Sequence, residues 1–232
     1  MAPTSSRQFL LIDGDDTLWE NNIYFEQAIE AFIDYVAHST MSRDQVRASL
    51  DEVERINIGV RGYGSASFTL NLRETYERLA ERALRQEDID HVLQLGKRIA
   101  GQPVTLLPDV AETVTYLAGR HDLMLVTKGH PEEQRLKIER SGLEDRFAAT
   151  AVVHEKDEDT YRAIVRERQL DPARTWMIGN SPRSDINPAL KAGLHAIFIP
   201  HQHTWRLEHE EVINVDERLL TLQRFAELQT HF

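Results

Sequence analysis

The chain has 232 residues with 27 basic and 38 acidic side chains, a formal net charge of −11, so it has no general attraction for a nucleic-acid backbone, although a local cationic site would still hold a phosphate. It has no cysteine, which excludes disulfides, thiolate catalysis and cysteine-bound zinc together. Its 41% hydrophobic and 28% charged content is ordinary for a soluble globular chain, either one large domain or a core domain with a smaller insertion. The first eight residues, MAPTSSRQ, carry no signal-peptide core, and no apolar run approaches about 18 residues, so no membrane partner and a cytoplasmic location are expected.

Phe9-Leu10-Leu11-Ile12 runs without polar alternation, the pattern of a strand buried on both faces of a parallel sheet, and stops abruptly at Asp13. With Gly14 between them, Asp13, Asp15 and Asp16 crowd three carboxylates into four positions, an arrangement core packing cannot want. Such a string is either a solvated acidic turn or a cation site, and oxygen donors without cysteine suit Mg²⁺. In an open α/β sheet the ligand crevice lies outside the carboxyl ends of the strands, where this turn falls.

From Asn21 the apolar spacing becomes helical through Ile23, Phe25, Ile29, Phe32, Ile33 and Val36, and a second helix is predicted over 43–56 after Ser42. Glycines 59, 62 and 64 predict a loop over 59–65, with helices resuming over 68–85 and 89–99. This block of 19–101, without strands, predicts a helical insertion packed over the acidic turn, dividing a core built from 1–18 and 102–232. Arg61 and Tyr63 on the glycine loop are candidates for touching a substrate, the alternative being a plain interhelix connector.

After the insertion, helix and strand alternate. Pro108-Asp109 opens a helix with Val110, Val114 and Leu117 on one face, and the strand 123–126 ends at Thr127, followed by Lys128-Gly129-His130 and a helix starting at Pro131. A hydroxyl beside helix-end amides is a natural contact for a phosphate oxygen, the alternative being a purely structural strand-end threonine. A strand over 148–153 leads to Lys156, which reads either as a surface lysine among Glu155, Asp157, Glu158 and Asp159 or as a point charge aimed at a phosphate and a carboxylate. The strand 175–178 ends at the loop Gly179-Asn180-Ser181-Pro182-Arg183-Ser184-Asp185, a short helix follows over 186–193, a fifth strand over 196–199 finishes the sheet, and 218–228 is a last helix. Between them, His201, His203 and His209 read as part of a polar loop, with metal binding as the alternative.

Asp13 to Thr17, then Thr127, Lys156 and the segment from Gly179 to Asp185 resemble, in this order, the motifs of the haloacid dehalogenase-like hydrolase superfamily, most closely its magnesium-dependent phosphatases. The resemblance implies an α/β fold with a Rossmann-like parallel sheet, helices on both faces and an inserted helical cap of the type-one kind. It implies Asp13 as nucleophile, Asp15 as acid/base and Thr17 holding the turn, with Thr127, Lys128 and Lys156 at the phosphate. Mg²⁺ would be held by Asp13, the Asp15 carbonyl and Asp185. Asn180 stands where an aspartate is usual and, with Thr17, would lie behind the metal ligands. The implied activity is hydrolysis of a small phosphorylated metabolite through an aspartyl phosphate, with Arg61, Tyr63 and Arg183 as candidates for reaching the leaving group. Two alternatives stay open: a 2-haloacid dehalogenase, for which a second acid at Asp15 is superfluous, and a catalytically inactive binding domain.

Overall fold

The computed structural model describes residues 7–213 and 216–232. Its chain divides into two compact units, one reaching to Glu20 and resuming at Val104, the other spanning Asn21–Pro103. The first is built on strands β1 (Phe9–Ile12), β2 (Asp122–Lys128), β3 (Ala149–Val153), β4 (Thr175–Gly179), β5 (His195–Phe198) and β6 (Leu219–Thr221). All pairs are parallel, in the order β3-β2-β1-β4-β5-β6.

The uniform apolar run of β1 follows from its place in the middle of this sheet. Ile12 is in register with Leu125 on one side and Ile178 on the other. Leu10 and Ile12 pack with Val114 and Leu117 of α5 (Val110–Ala118), while Leu11 packs with Tyr161 of α7 (Glu158–Arg168) and Ala189 of α8 (Asn187–Lys191). A strand covered on both faces has no solvent side on which to place polar residues. The chain leaves and re-enters this unit side by side, with the Glu20 amide donating to the Thr105 carbonyl at 2.9 Å and the Leu107 amide to that of Leu18 at 2.9 Å.

The carboxyl-terminal segment departs from the expectation of a helix over 218–228. Leu219–Thr221 instead adds a sixth strand beside β5, and after a 3-10 turn over Phe225–Glu227 the α-helix is confined to Leu228–His231, as α9. An edge strand's open peptide groups reward pairing more than a short apolar spacing rewards helix formation. Arg218 pins the new strand by donating to the carbonyls of Leu190 (2.9 Å) and Leu194 (3.2 Å).

The second unit is a four-helix block of α1 (Asn22–Val36), α2 (Arg43–Arg61), α3 (Ser65–Leu79) and α4 (Gln86–Lys97) around Ile29, Phe32, Leu50, Leu72 and Val92. A reciprocal Ser42–Gln45 capping box starts α2. This helix runs through Gly59 to Arg61, five residues beyond its predicted end at 56, so the loop shrinks to 62–64 and Arg61 is helical. Interior glycine costs about 1 kcal/mol, and the polar seam between α2 and α3 offsets it. Asn57 donates to Asn71 (3.0 Å) and Glu74 (2.9 Å), and Arg61 meets the same two residues at 3.2 and 3.0 Å. The third helix stops at Leu79 rather than 85, because Glu81 swings out to accept from the Ser39 amide at 2.8 Å and from its hydroxyl. No helix among the described residues is long and apolar enough to cross a membrane.

Helices α3 and α4 approach closely at Gly96, where an added Cβ would lie 2.8 Å from the backbone Cα of Thr69. Gly96→Ala should therefore destabilise the helical unit by roughly 1–3 kcal/mol despite alanine's better helix propensity. Chemical denaturation of the full chain checks it, and a variant as stable as the wild type would show that the two helices part freely.

Candidate active site

The site is assembled at the carboxyl ends of the central strands. Asp13 continues β1, its amide donating to the Ile178 carbonyl at 3.0 Å, and its carboxylate is buried. Lys156 arrives from the loop after β3 and Asp185 from the wide helical turn Pro182–Ile186 after β4. The Lys156 ammonium contacts Asp13 Oδ1 and lies 2.8 Å from Asp185 Oδ1, and all three side chains are buried. Asp185 is aimed by its own turn: Ser181 N–H donates to Oδ2 at 3.0 Å, and the buried Tyr161 hydroxyl ties down the Ser184 carbonyl at 2.9 Å.

Two buried carboxylates share one ammonium, and the charges do not cancel. Burial, and then the neighbouring Asp185 carboxylate, push the Asp13 pKa up to about 7 against the opposing pull of Lys156. Burial opposes the charge on Lys156 as well, but the two carboxylates beside it raise its pKa above the ordinary lysine value. Lys156 therefore stays charged, and the surplus of negative charge disfavours ionisation of Asp13.

Asp15 lies two residues further on and faces a different environment. Its Oδ1 accepts from Trp19 Nε1 (2.7 Å) and Lys137 Nζ (2.9 Å), and its Oδ2 from Gln134 Nε2 (2.8 Å) and Lys137 Nζ (2.8 Å). Burial pushes the Asp15 pKa up, but Lys137, Gln134 and Trp19 together bring it below the usual carboxylate value. Gln134 and Lys137 stand on α6 (Pro131–Ser141), and neither was foreseen. PEEQRLKIERS reads as a solvated charged helix, and the three-residue spacing of 134 and 137, one face of a helix starting at a strand end, was the available signal. Thr127, at the end of β2, donates to Gln134 Oε1 at 3.3 Å.

The remaining candidates lie around this centre. The Thr17 hydroxyl shares its proton between Asp13 Oδ2 (3.0 Å) and Asn180 Oδ1 (3.3 Å), while Asn180 Nδ2 donates to Thr204 Oγ1 at 2.9 Å. Lys128, expected at a phosphate, turns its ammonium to Glu208 (2.6 Å) and Ser184 (2.7 Å); Glu208 also accepts from Ser181 Oγ at 2.5 Å. Arg183 donates to the Leu207 carbonyl at 2.9 Å, and Tyr63 sits in the turn after α2. Glu208 and Thr204 come from a segment in which the sequence showed no motif.

Of the histidines of that segment, His201 and His203 pack edge to face with ring centroids 5.8 Å apart, while His209 points elsewhere. His209 Nε2 lies 3.1 Å from the Thr204 carbonyl, whereas His201 is placed between Asp16 (3.7 Å) and Glu20 (3.6 Å). One ligand atom from each of Asp16, Glu20 and His201 lies within 4.8 Å of the others, an acidic and imidazole cluster able to take a divalent cation. It is separate from the expected set of Asp13, Asp15 and Asp185.

The match to known proteins agrees with this geometry. Residues 9–193 match the haloacid dehalogenase-like hydrolase family. The chain belongs to that family. It is 26% identical over 184 residues to the human (Homo sapiens) N-acylneuraminate-9-phosphatase, covering 77% of this chain and 69% of that protein. A solved haloacid dehalogenase-like family hydrolase from Xanthomonas campestris is 31% identical with a TM-score of 0.82, covering 97% of this chain and 94% of the other. The HAD-hydrolase YfnB of Bacillus subtilis, solved bound to magnesium, shares the fold at 17% identity with a TM-score of 0.66, over 98% and 99% of the two chains. The acidic turn at the end of β1 is the hydrolase motif of the family, and the chain is a hydrolase.

The surplus charge on Asp13 has a measurable sign. Its folded pKa of about 7 lies above the unfolded value of 3.8, so the native state binds more protons in that window, and the stability Asp13 contributes is present below it and lost as pH rises through about 7. Asp13→Asn removes that loss. Without divalent cations the variant should be roughly 1–3 kcal/mol more stable than the wild type near pH 8, with the difference closing toward about pH 4. Thermal denaturation in a chelator at both pH values measures it; a difference independent of pH would show that Asp13 is not strained by its charge.

Proposed function

We propose that this hydrolase is a Mg²⁺-dependent phosphomonoesterase acting on a small phosphorylated metabolite. The observation that carries the reading is the buried Asp13–Lys156–Asp185 cluster at the carboxyl edge of the sheet, with a second acid, Asp15, two residues beyond Asp13. The donors fit the metal: two carboxylates against one ammonium leave an excess negative charge, and Asp13, Asp185 and the Asp15 carbonyl offer hard oxygen ligands. When bound, Mg²⁺ would offset charge on the phosphoryl oxygens. The names of two relatives, a phosphatase and a hydrolase bound to magnesium, lend support.

The chain's own residues supply the remaining chemistry. An Asp13 oxygen attacks phosphorus, the ester P–O bond breaks, and the leaving oxygen takes its proton from Asp15. Water then gives a proton to Asp15 as it attacks the aspartyl phosphate, which returns Asp13 and releases inorganic phosphate. Lys156 would offset the approach of carboxylate to phosphate, and the Thr127 hydroxyl and the amides beyond Asp13 would hold the phosphoryl oxygens.

One observation favours a rival. The Asp15 carboxylate is engaged on both oxygens, and a departing halide needs no proton, so a 2-haloacid dehalogenase would tolerate this arrangement. Phosphate release from p-nitrophenyl phosphate and a metabolite panel, with and without Mg²⁺, is the test. Metal-dependent release is expected, with a loss of about 10³-fold or more in Asp13→Asn, since an amide is a poor nucleophile. Chloride release from 2-chloropropionate without added metal, and no phosphate release, would select the dehalogenase instead.

Asn180 gives a second measurement. It bridges Thr17 and Thr204 without carrying charge, and an aspartate there would bring a third carboxylate toward Asp13 and Asp185. Asn180→Asp should activate at a severalfold lower Mg²⁺ concentration, at fixed ionic strength and saturating substrate. An unchanged activation constant would make the residue a hydrogen-bonding link alone.

A further inference from the structure

The geometry points to Lys137 and Gln134 as positioning residues that set the direction of Asp15, so that helix α6, rather than the acidic turn itself, aims the acid/base at the leaving group. Their role rests on the phosphatase reading and goes beyond it in naming what orients the proton donor.

Both oxygens of Asp15 are taken, and three of the four contacts come from α6: two from the Lys137 ammonium at 2.8 and 2.9 Å and one from Gln134 at 2.8 Å. The fourth is Trp19, whose indole is buried in the sheet core and cannot follow a moving carboxylate. Asp15 thus has little rotational freedom while Lys137 is present. Gln134 uses its whole amide. Nε2 donates to Asp15 and to the Lys128 carbonyl (3.2 Å), while Oε1 accepts from Thr127. One side chain thereby fixes the distance between the acid/base and the hydroxyl proposed for the phosphoryl group. The space for it is made by Gly129, at φ +149°, where an added Cβ would come 2.7 Å from Gln134 Nε2.

A proton donor held in one direction contributes by orientation, and that contribution is lost when the holding contact goes. The loss should appear only where the leaving oxygen needs a proton. An alkyl phosphate expels a basic alkoxide and depends on Asp15; p-nitrophenyl phosphate expels a stable phenolate and depends on it little. The ratio of kcat/KM for an alkyl phosphate to that for p-nitrophenyl phosphate therefore isolates the role, because kcat/KM reports the steps up to transfer onto Asp13 and a general structural defect lowers both values alike.

The experiment measures this ratio in wild type, Lys137→Met, Lys137→Arg and Gln134→Leu, with Mg²⁺ present. The ratio should fall about tenfold or more in Lys137→Met and in Gln134→Leu, and Lys137→Arg, which keeps a two-pronged donor, should recover most of it. Should Lys137→Met fail to fold, Gln134→Leu carries the same comparison. A ratio that holds or rises in the folded variants overturns the inference, a rise being what removal of the lysine charge alone would give. A wild type that hydrolyses neither ester overturns the phosphatase reading and the inference with it, and is told apart from the inference failing alone, in which the wild type is active and the ratio unmoved.

Discussion

The contact on which the rest of the site depends is the Lys156 ammonium held between Asp13 and Asp185. Each comes from a different strand end, so the interaction closes the carboxyl edge of the sheet across β1, β3 and β4. Buried charges are tolerated only when paired, and removing the ammonium from this cluster costs roughly 3–5 kcal/mol because two buried carboxylates are left facing each other. Lys156 cannot reach water and cannot lose its proton while two carboxylates surround it. Its position is thereby fixed, and the positions of the carboxylates follow.

Topology explains why these groups meet although they lie as many as 172 positions apart in sequence, from 13 to 185. The order β3-β2-β1-β4-β5-β6 places β1 at the reversal of strand order, with the chain running outward through β2 and β3 on one side and through β4, β5 and β6 on the other. Loops beyond the strands on the two sides turn apart there and leave a crevice. Asp13 stands at its base, Thr127 and Lys156 on one side, Asn180 and Asp185 on the other. The polar segment after β5 returns to the same edge, through Thr204 on Asn180 and Glu208 on Ser181 and Lys128.

What was legible in the sequence is what rests on local contrast. Phe9-Leu10-Leu11-Ile12 against Asp13, and Leu123-Met124-Leu125-Val126 before Thr127, mark buried strands by the abrupt end of an apolar run, and these strand ends carried the α/β fold class. What was not legible rests on tertiary pairing. Arg61 reads as a loop residue because glycines surround it, yet Asn71 and Glu74 on the next helix hold it in α2. Leu219–Thr221 has no strand signature beyond two leucines, and it is a strand because β5 would otherwise offer an open edge. Lys137 and Glu208 resemble the many solvated charges of this acidic chain. Only the fold brings their partners to them.

Asp13 and Asp15 show how far neighbouring carboxylates can be driven apart. The two are separated by one glycine, Asp13 buried and Asp15 partly buried, yet one pKa is raised and the other lowered. The difference is in the company: Asp13 shares a single ammonium with a rival carboxylate, whereas Asp15 accepts from Lys137 and from two neutral donors. Divergent environments of this kind are how one fold assigns opposite proton roles to two acids. Here the divergence runs against the proposed turnover, which needs Asp13 ionised and Asp15 protonated. A cation beside Asp13 and Asp185 would draw the first value down, and an incoming leaving-group oxygen that displaces one donor from Asp15 would let the second rise. The two shifts therefore belong to the protein without metal or ester, and each would relax in the direction that turnover needs as these bind.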